Sequence, residues 1–353
     1  MNDDFYSRFF REDRDIYGGD GDFSFGDGVV KGAKRTFSRL FLGLSLYLII
    51  CTVLINATAI VTYFLGDEVY IAVFGTSLGQ NILDATVQYL IALPAFWLFV
   101  RKMEVTAPTY RVKITPKEFF VFFLIAQLLM TIGSYIGVFI NSALSVGFGS
   151  QSTNHTAESI AETPILLTLI FSVILTPIAE ELLMRKLFID RLKKYGEGFA
   201  VIVSALSFGL FHGNLYQFFY AALTGLVLGF IYIRGGLKYS VLLHMLLNFW
   251  GSIMVLLYNK AAETVLGPYE PGVWFYLALA FVIFDAIISI VFLILGIKYL
   301  VRCIRILRDG FNPYEGAVAV LPKGTTASVV FKNAGVITFL VITGFYMLVS
   351  FIA

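Results

Sequence analysis

Three polar groups interrupt otherwise apolar stretches of this chain: Glu180-Glu181-Leu182-Leu183-Met184-Arg185, then His212, then His244 with Asn248. Together they offer two carboxylates, a guanidinium, two imidazoles and a side-chain amide. That inventory suits the activation of water for acyl transfer. A carboxylate can take a proton from water, and an imidazole can help to hold that water. A second imidazole and an amide NH2 can donate hydrogen bonds to a tetrahedral oxyanion. The spacing is consistent with such a site. Residues four apart share a helix face, so Glu181 can pair with Arg185, Phe208 lies on the side of His212, and His244 on that of Asn248. Glu180 lies about 100° around the helix from Glu181, so it can face a cavity while its neighbour is neutralised. Pro177, three residues earlier, is placed to kink this helix.

The elements that must position these groups are membrane helices. Of 353 residues, 58% are hydrophobic and 14% charged, against roughly 25% charged in soluble domains. Residues 40–65, 119–149 and 198–233 contain no Asp, Glu, Lys or Arg, and about 20 apolar residues cross the hydrocarbon core. The chain reads as an all-α polytopic membrane protein with about nine transmembrane helices near 40–65, 82–100, 118–145, 163–186, 199–214, 216–234, 239–258, 273–298 and 334–353. The fourth to seventh form the core that carries the chemistry. Four regions follow: a mostly disordered cytoplasmic tail (1–39), three helices (40–162), the core (163–258), and two further helices with a cytoplasmic loop (259–353). In that loop, residues 317–321 and 327–331 alternate weakly around Pro322-Lys323-Gly324, the pattern of a small hairpin.

With the N-terminus in the cytoplasm and nine alternating helices, every one of the 26 Lys and Arg residues except Lys260 falls on an inside segment. This is the positive-inside bias. It makes the protein multi-pass and integral, with its C-terminus outside, and the membrane is read as the plasma membrane of a bacterium. Cys51 and Cys303 have no obvious partner, so no disulfide is expected.

Glu180-Glu181-x-x-x-Arg185, Phe208-x-x-x-His212 and His244-x-x-x-Asn248 resemble the three motifs of the CAAX-protease and bacteriocin-processing family of intramembrane endopeptidases. The flanks His212-Gly-Asn214-x-x-Gln217 and Gly225-Leu-x-Leu-Gly229-x-x-Tyr232-x-Arg234-Gly-Gly are similar too. The resemblance spans about 164–248. It implies an endopeptidase in which Glu180 is the general base, His212 helps to bind the water, His244 and Asn248 line the oxyanion site, and Glu181 and Arg185 support them. The family is often labelled as metalloproteases, but the His-Glu-x-x-His arrangement is absent, so the reading without a cofactor is favoured and zinc held by Glu180, His212 and His244 stays open as an alternative. The partners are then a lipid bilayer and a membrane-associated peptide or protein, with no nucleic acid. A Cys-a-a-X substrate presents its short tail at the cytoplasmic surface, which a cavity opening to that side would suit.

Blander readings stand beside this one. Singly, Glu180 and Glu181 can be a snorkelling pair beside Arg185, and each imidazole an interhelical bridge. Two of the three histidines fall in the motifs, which weighs against coincidence; His155, in a polar outer loop, is assigned no role. Asp84 and Asp285 read as bundle-facing carboxylates with polar neighbours. Gly133-x-x-x-Gly137 and Gly225-x-x-x-Gly229 read as close-packing sites. Competing functions are a non-catalytic peptide-binding or bacteriocin-immunity protein, and a transporter with Glu180 and Asp285 on a proton path. One measure conflicts with convergence. On upright helices Glu180 and His244 sit about 9 Å from the basic ends, and His212 roughly 27 Å. Joining them requires the segment after Lys194 to lie along or dip into the membrane, or the fifth helix to tilt.

Overall fold

The computed structural model describes Phe9 and residues 27–108, 110–149, 154–266, 272–310, 321–322 and 324–352. Most of the expected tail and residues 317–320 of the expected hairpin lie outside these. In chain order, α1 (Asp27–Leu65) leads into α2 (Asp67–Phe74) and α3 (Ser77–Val100). Next come α4 (Pro116–Phe148), α5 (His155–Glu162), α6 (Ile165–Tyr195) and α7 (Glu197–Phe211). The remainder is α8 (Leu215–Gly235), α9 (Leu237–Leu266), α10 (Val273–Gly310), α11 (Thr326–Phe331) and α12 (Ala334–Ile352). The described residues contain no strand, and eight helices are long and apolar enough to cross a membrane: α1, α3, α4, α6, α8, α9, α10 and α12. The protein is an all-α polytopic membrane protein.

α7, expected as the fifth of nine crossings, has 15 residues. At 1.5 Å per residue it is about 22 Å long, short of a hydrocarbon core of about 30 Å. Residues 27–39 are helical rather than disordered. Ala33, Phe37, Leu40, Phe41 and Leu44 are buried, and their spacing of three and four continues the apolar stripe of α1 through the basic residues. Residues 327–331, expected as one arm of the hairpin, lie in helix α11.

The conflict over depth has a structural answer. α6 does not stop at Lys186 but continues to Tyr195, and Asp190, Arg191 and Lys193 on this extension are buried. Gly196 then turns the chain, with φ 121° that disfavours any side chain, and α7 returns antiparallel. Glu180 and His212 are equally far in sequence from Gly196, so the two antiparallel helices bring them to about the same level. Lys186 does not mark the membrane edge, because its flexible stem lets its ammonium reach Asp190 at 2.9 Å.

Close backbone packing holds the frame. A Cβ on Gly133 of α4 would stand 2.4 Å from the Cα of Tyr220 on α8, and one on Gly137 would stand 2.9 Å from the carbonyl oxygens of Leu215 and Tyr216. Gly225 and Gly229 of α8 meet α7 at Ala205 and Val201. Both glycine pairs are packing sites. Asp285 accepts a hydrogen bond from Tyr258 at 2.5 Å, and both cysteines are free.

Candidate active site

α6 carries the carboxylates between two π-helical segments, Thr168–Leu175 and Leu182–Ile189. The first ends two residues before Pro177. α3 has the same arrangement, with a π-helical segment Thr86–Ala92 ending two residues before Pro94. Proline lacks an N–H and its ring crowds the carbonyl four residues back; the wider i→i+5 register accommodates both. The two helices are joined here by the Tyr89 hydroxyl and Thr176 Oγ1, 2.6 Å apart.

Glu181 is fully buried and its charge is matched on three sides. Arg185 Nε donates to its Oε2 at 3.1 Å. The Ser240 hydroxyl donates to the same oxygen. His244 Nδ1 donates to Oε1 at 3.1 Å. Arg185 is equally buried; its Nη1 donates to Ser204 Oγ at 2.8 Å and its guanidinium lies 5.1 Å from the centre of the Phe208 ring. Ser204 passes a hydrogen bond on to the Met184 carbonyl at 2.9 Å. A carboxylate, a guanidinium and two hydroxyls thereby orient the His244 ring.

Glu180 points the other way, into a cavity of about 680 Å³. Its carboxylate keeps 18% exposure; Oε2 is 3.6 Å from His244 Nε2 and Oε1 is 4.0 Å from His212 Nε2. His212 sits at the C-terminal end of α7, where its Nδ1 meets the Phe208 carbonyl at 2.7 Å. A carbonyl only accepts, so Nδ1 carries a proton and Nε2 is the ring nitrogen turned toward Glu180. Gly213, with φ 64°, makes the turn into α8. Asn214 caps α8 by accepting from Gln217 N at 2.8 Å and donates to the His212 carbonyl at 3.1 Å. The Phe208 ring lies edge-on to both imidazoles, 4.8 Å and 5.8 Å away between centres. Asn248, one turn beyond His244 on α9, lines the same cavity; its Nδ2 spends one N–H on the Ser172 carbonyl at 2.9 Å and keeps a second.

Glu180, His212, His244 and Asn248 thus face one cavity, and Glu181 and Arg185 lie beneath it. Among the described residues no three His, Cys, Asp or Glu side chains are grouped to hold a metal ion. Two ligand atoms on a tetrahedral zinc with bonds of about 2.0–2.1 Å stand about 3.3 Å apart, closer than Glu180 stands to either imidazole, so zinc at Glu180, His212 and His244 would need all three to draw together. Ser240 was not singled out from the sequence, although it lies one turn before His244 and the same four-residue spacing points to it. Asp84 and Gln88 of α3 also line the cavity; they are far from the motifs in sequence, and only tertiary packing brings them in. The cavity does not open toward the basic ends of the helices. Beyond Glu180 it continues along Thr176 and Ser172 to Asn154 and Ser159 at α5.

Residues 162–250 match the family model for Rce1-like type II CAAX prenyl endopeptidases. The matching segment runs from the end of α5 to the middle of α9 and contains all seven motif residues. The resemblance read from the three motifs is borne out over this segment. The match supports a CAAX-type intramembrane endopeptidase as the general class. No match was found among curated proteins or among solved structures.

Proposed function

We propose that this protein hydrolyses a peptide bond of a membrane-associated peptide or protein, with Glu180 as general base and no metal. The carrying observation is that Glu180 and His212 Nε2 stand 4.0 Å apart across the cavity wall. A water about 2.8 Å from each can donate one proton to the carboxylate and the other to the Nε2 lone pair. Glu180 takes the first proton as the water oxygen bonds to the substrate carbonyl carbon. The tetrahedral oxyanion is met by the second N–H of Asn248 and by His244 Nε2–H in the doubly protonated ring, whose positive charge is balanced by Glu181 behind it and, once Glu180 has taken its proton, by the oxyanion in front. Glu180 then returns its proton to the leaving nitrogen as the C–N bond breaks, giving a carboxylic acid and an amine. Glu181 and Arg185 act through His244 and touch no substrate.

The test uses purified protein in liposomes and two sets of fluorophore–quencher peptides, one anchored by a prenyl group and one by an apolar helix. Cleavage by the wild-type protein is expected to survive a zinc chelator. His212→Ala is expected to lower the rate about 10²–10⁴-fold, and Asn248→Ala about 10²–10³-fold. Equal rates in all three proteins would end the proteolytic reading. Loss on chelation with recovery on added zinc would overturn the metal-free mechanism.

A further inference from the structure

The direction in which the cavity opens carries information about the substrate. Six hydrogen bonds and ion pairs tie the basic segments into one end of the molecule. Arg39 and Arg191 donate to the carbonyls of Phe99 and Val100, each at 3.0 Å. Lys194 pairs with Glu104 at 3.3 Å, and Thr106 N donates to the Asp190 carbonyl at 2.9 Å. Val112 N donates to the Arg234 carbonyl, and Asn333 to that of Lys34, each at 2.8 Å. Among the described residues, the opposite end carries Asp67, Glu68, Glu158, Glu162 and Glu263 with Lys260 as its one basic residue.

The cavity floor is sealed toward the basic end. Glu181, Arg185, Ser204 and Ser240 are fully buried there, and none of them lines the cavity. Every wall climbs the other way. On α6 the lining passes from Glu180 to Thr176 and Ser172, and on α9 from His244 to Asn248 and Ser252. Ser172 lies two turns from Glu180, about 12 Å along the axis. At the rim is α5, where Ser159 is exposed. The walls between floor and rim mix carboxamide, hydroxyl and carboxyl groups with apolar side chains such as Met130, Leu247 and Val255, so the passage can take both the polar backbone and the apolar side chains of a peptide.

Basic residues mark the cytoplasmic face of membrane proteins. We infer that the site takes its substrate from the extracytoplasmic side: an extended peptide segment of an exported or membrane-anchored protein, entering past α5, and not a cytoplasmic C-terminal tail. This rests on the proteolytic reading above for what happens to the peptide, but not for the direction of access.

Cysteine labelling separates the two. In the full chain with Cys51→Ala and Cys303→Ala, single cysteines are placed at Ser159, Ser172 and, as a marker of the basic end, Lys102, which is exposed in the turn after α3. Spheroplasts and inverted vesicles are treated with a membrane-impermeant charged maleimide. Ser159→Cys and Ser172→Cys are expected to label at least tenfold faster in spheroplasts, and Lys102→Cys in inverted vesicles. Labelling of Ser172→Cys from the same side as Lys102→Cys, or of Lys102→Cys from outside, would overturn the inference. Reporters presenting one peptide on either face complete the test, and cleavage confined to the cytoplasmic reporter would also overturn it. Outside labelling with neither reporter cut would retain the direction of access and remove proteolysis instead.

Discussion

Glu181 and Arg185 are both fully buried and 3.1 Å apart, and a buried ion pair of this kind is worth less for its own attraction than for what its loss leaves behind. Removing one partner strands a charge and costs about 3–5 kcal/mol, whereas removing both restores much of that. Arg185→Met is therefore expected to lower the thermal stability of the detergent-solubilised protein. Glu181→Gln/Arg185→Met is expected to recover more than half of the lost stability without recovering cleavage, because His244 has lost the carboxylate that orients its ring. A double variant no more stable than Arg185→Met would show that the pair does not carry the cost assigned to it. At this scale the motifs were legible in the sequence, since four-residue spacing on a helix fixes a shared face. Ser240 obeys the same rule and was passed over because a lone serine in an apolar helix usually bonds its own backbone. Here it reaches Glu181 instead.

Helix ends, more than helix existence, decided where the side chains meet. The apolar runs gave the helices, but the end of α6 was placed at its first exposed lysine, and buried, paired charges such as Lys193 with Asp190 at 2.7 Å look in sequence like an interface with water. α5 and the first turns of α1 were missed for a related reason: short amphipathic stretches beside long apolar runs lack contrast. The frame also depends on backbone approach. Gly133→Val would push a side chain into the Tyr220 backbone, which Gly133 now approaches closely enough to place a Cβ 2.4 Å from its Cα. Overpacking of this kind typically costs 1–3 kcal/mol, and it should separate α4 from α8 and widen the cavity. Gly344→Ala on α12, where nothing lies within 4 Å of an added Cβ, serves as the comparison and is expected to be silent. Equal melting temperatures for the two variants would contradict tight α4–α8 packing.

At the scale of the whole molecule, the charge pattern and the cavity point in opposite directions along the membrane normal. The alternation of basic segments was readable in the sequence. The direction of opening was not, because it depends on which residues of six different helices and α5 share a wall, and most of those, such as Gln88, Ser134 and Ser172, carry no motif. The side on which the cavity is reached is thus a property of packing, while the chemistry proposed for it rests on Glu180, His212, His244 and Asn248. The most direct measurement is the turnover of purified, reconstituted Glu180→Gln beside wild type on the helix-anchored peptides, since the amide keeps the shape of the carboxylate but cannot take a proton from water. The expected result is a fall in kcat of about 10²–10⁴-fold with little change in KM. Undiminished turnover by Glu180→Gln would contradict the assignment of the general base, and with it the proteolytic reading of this cavity.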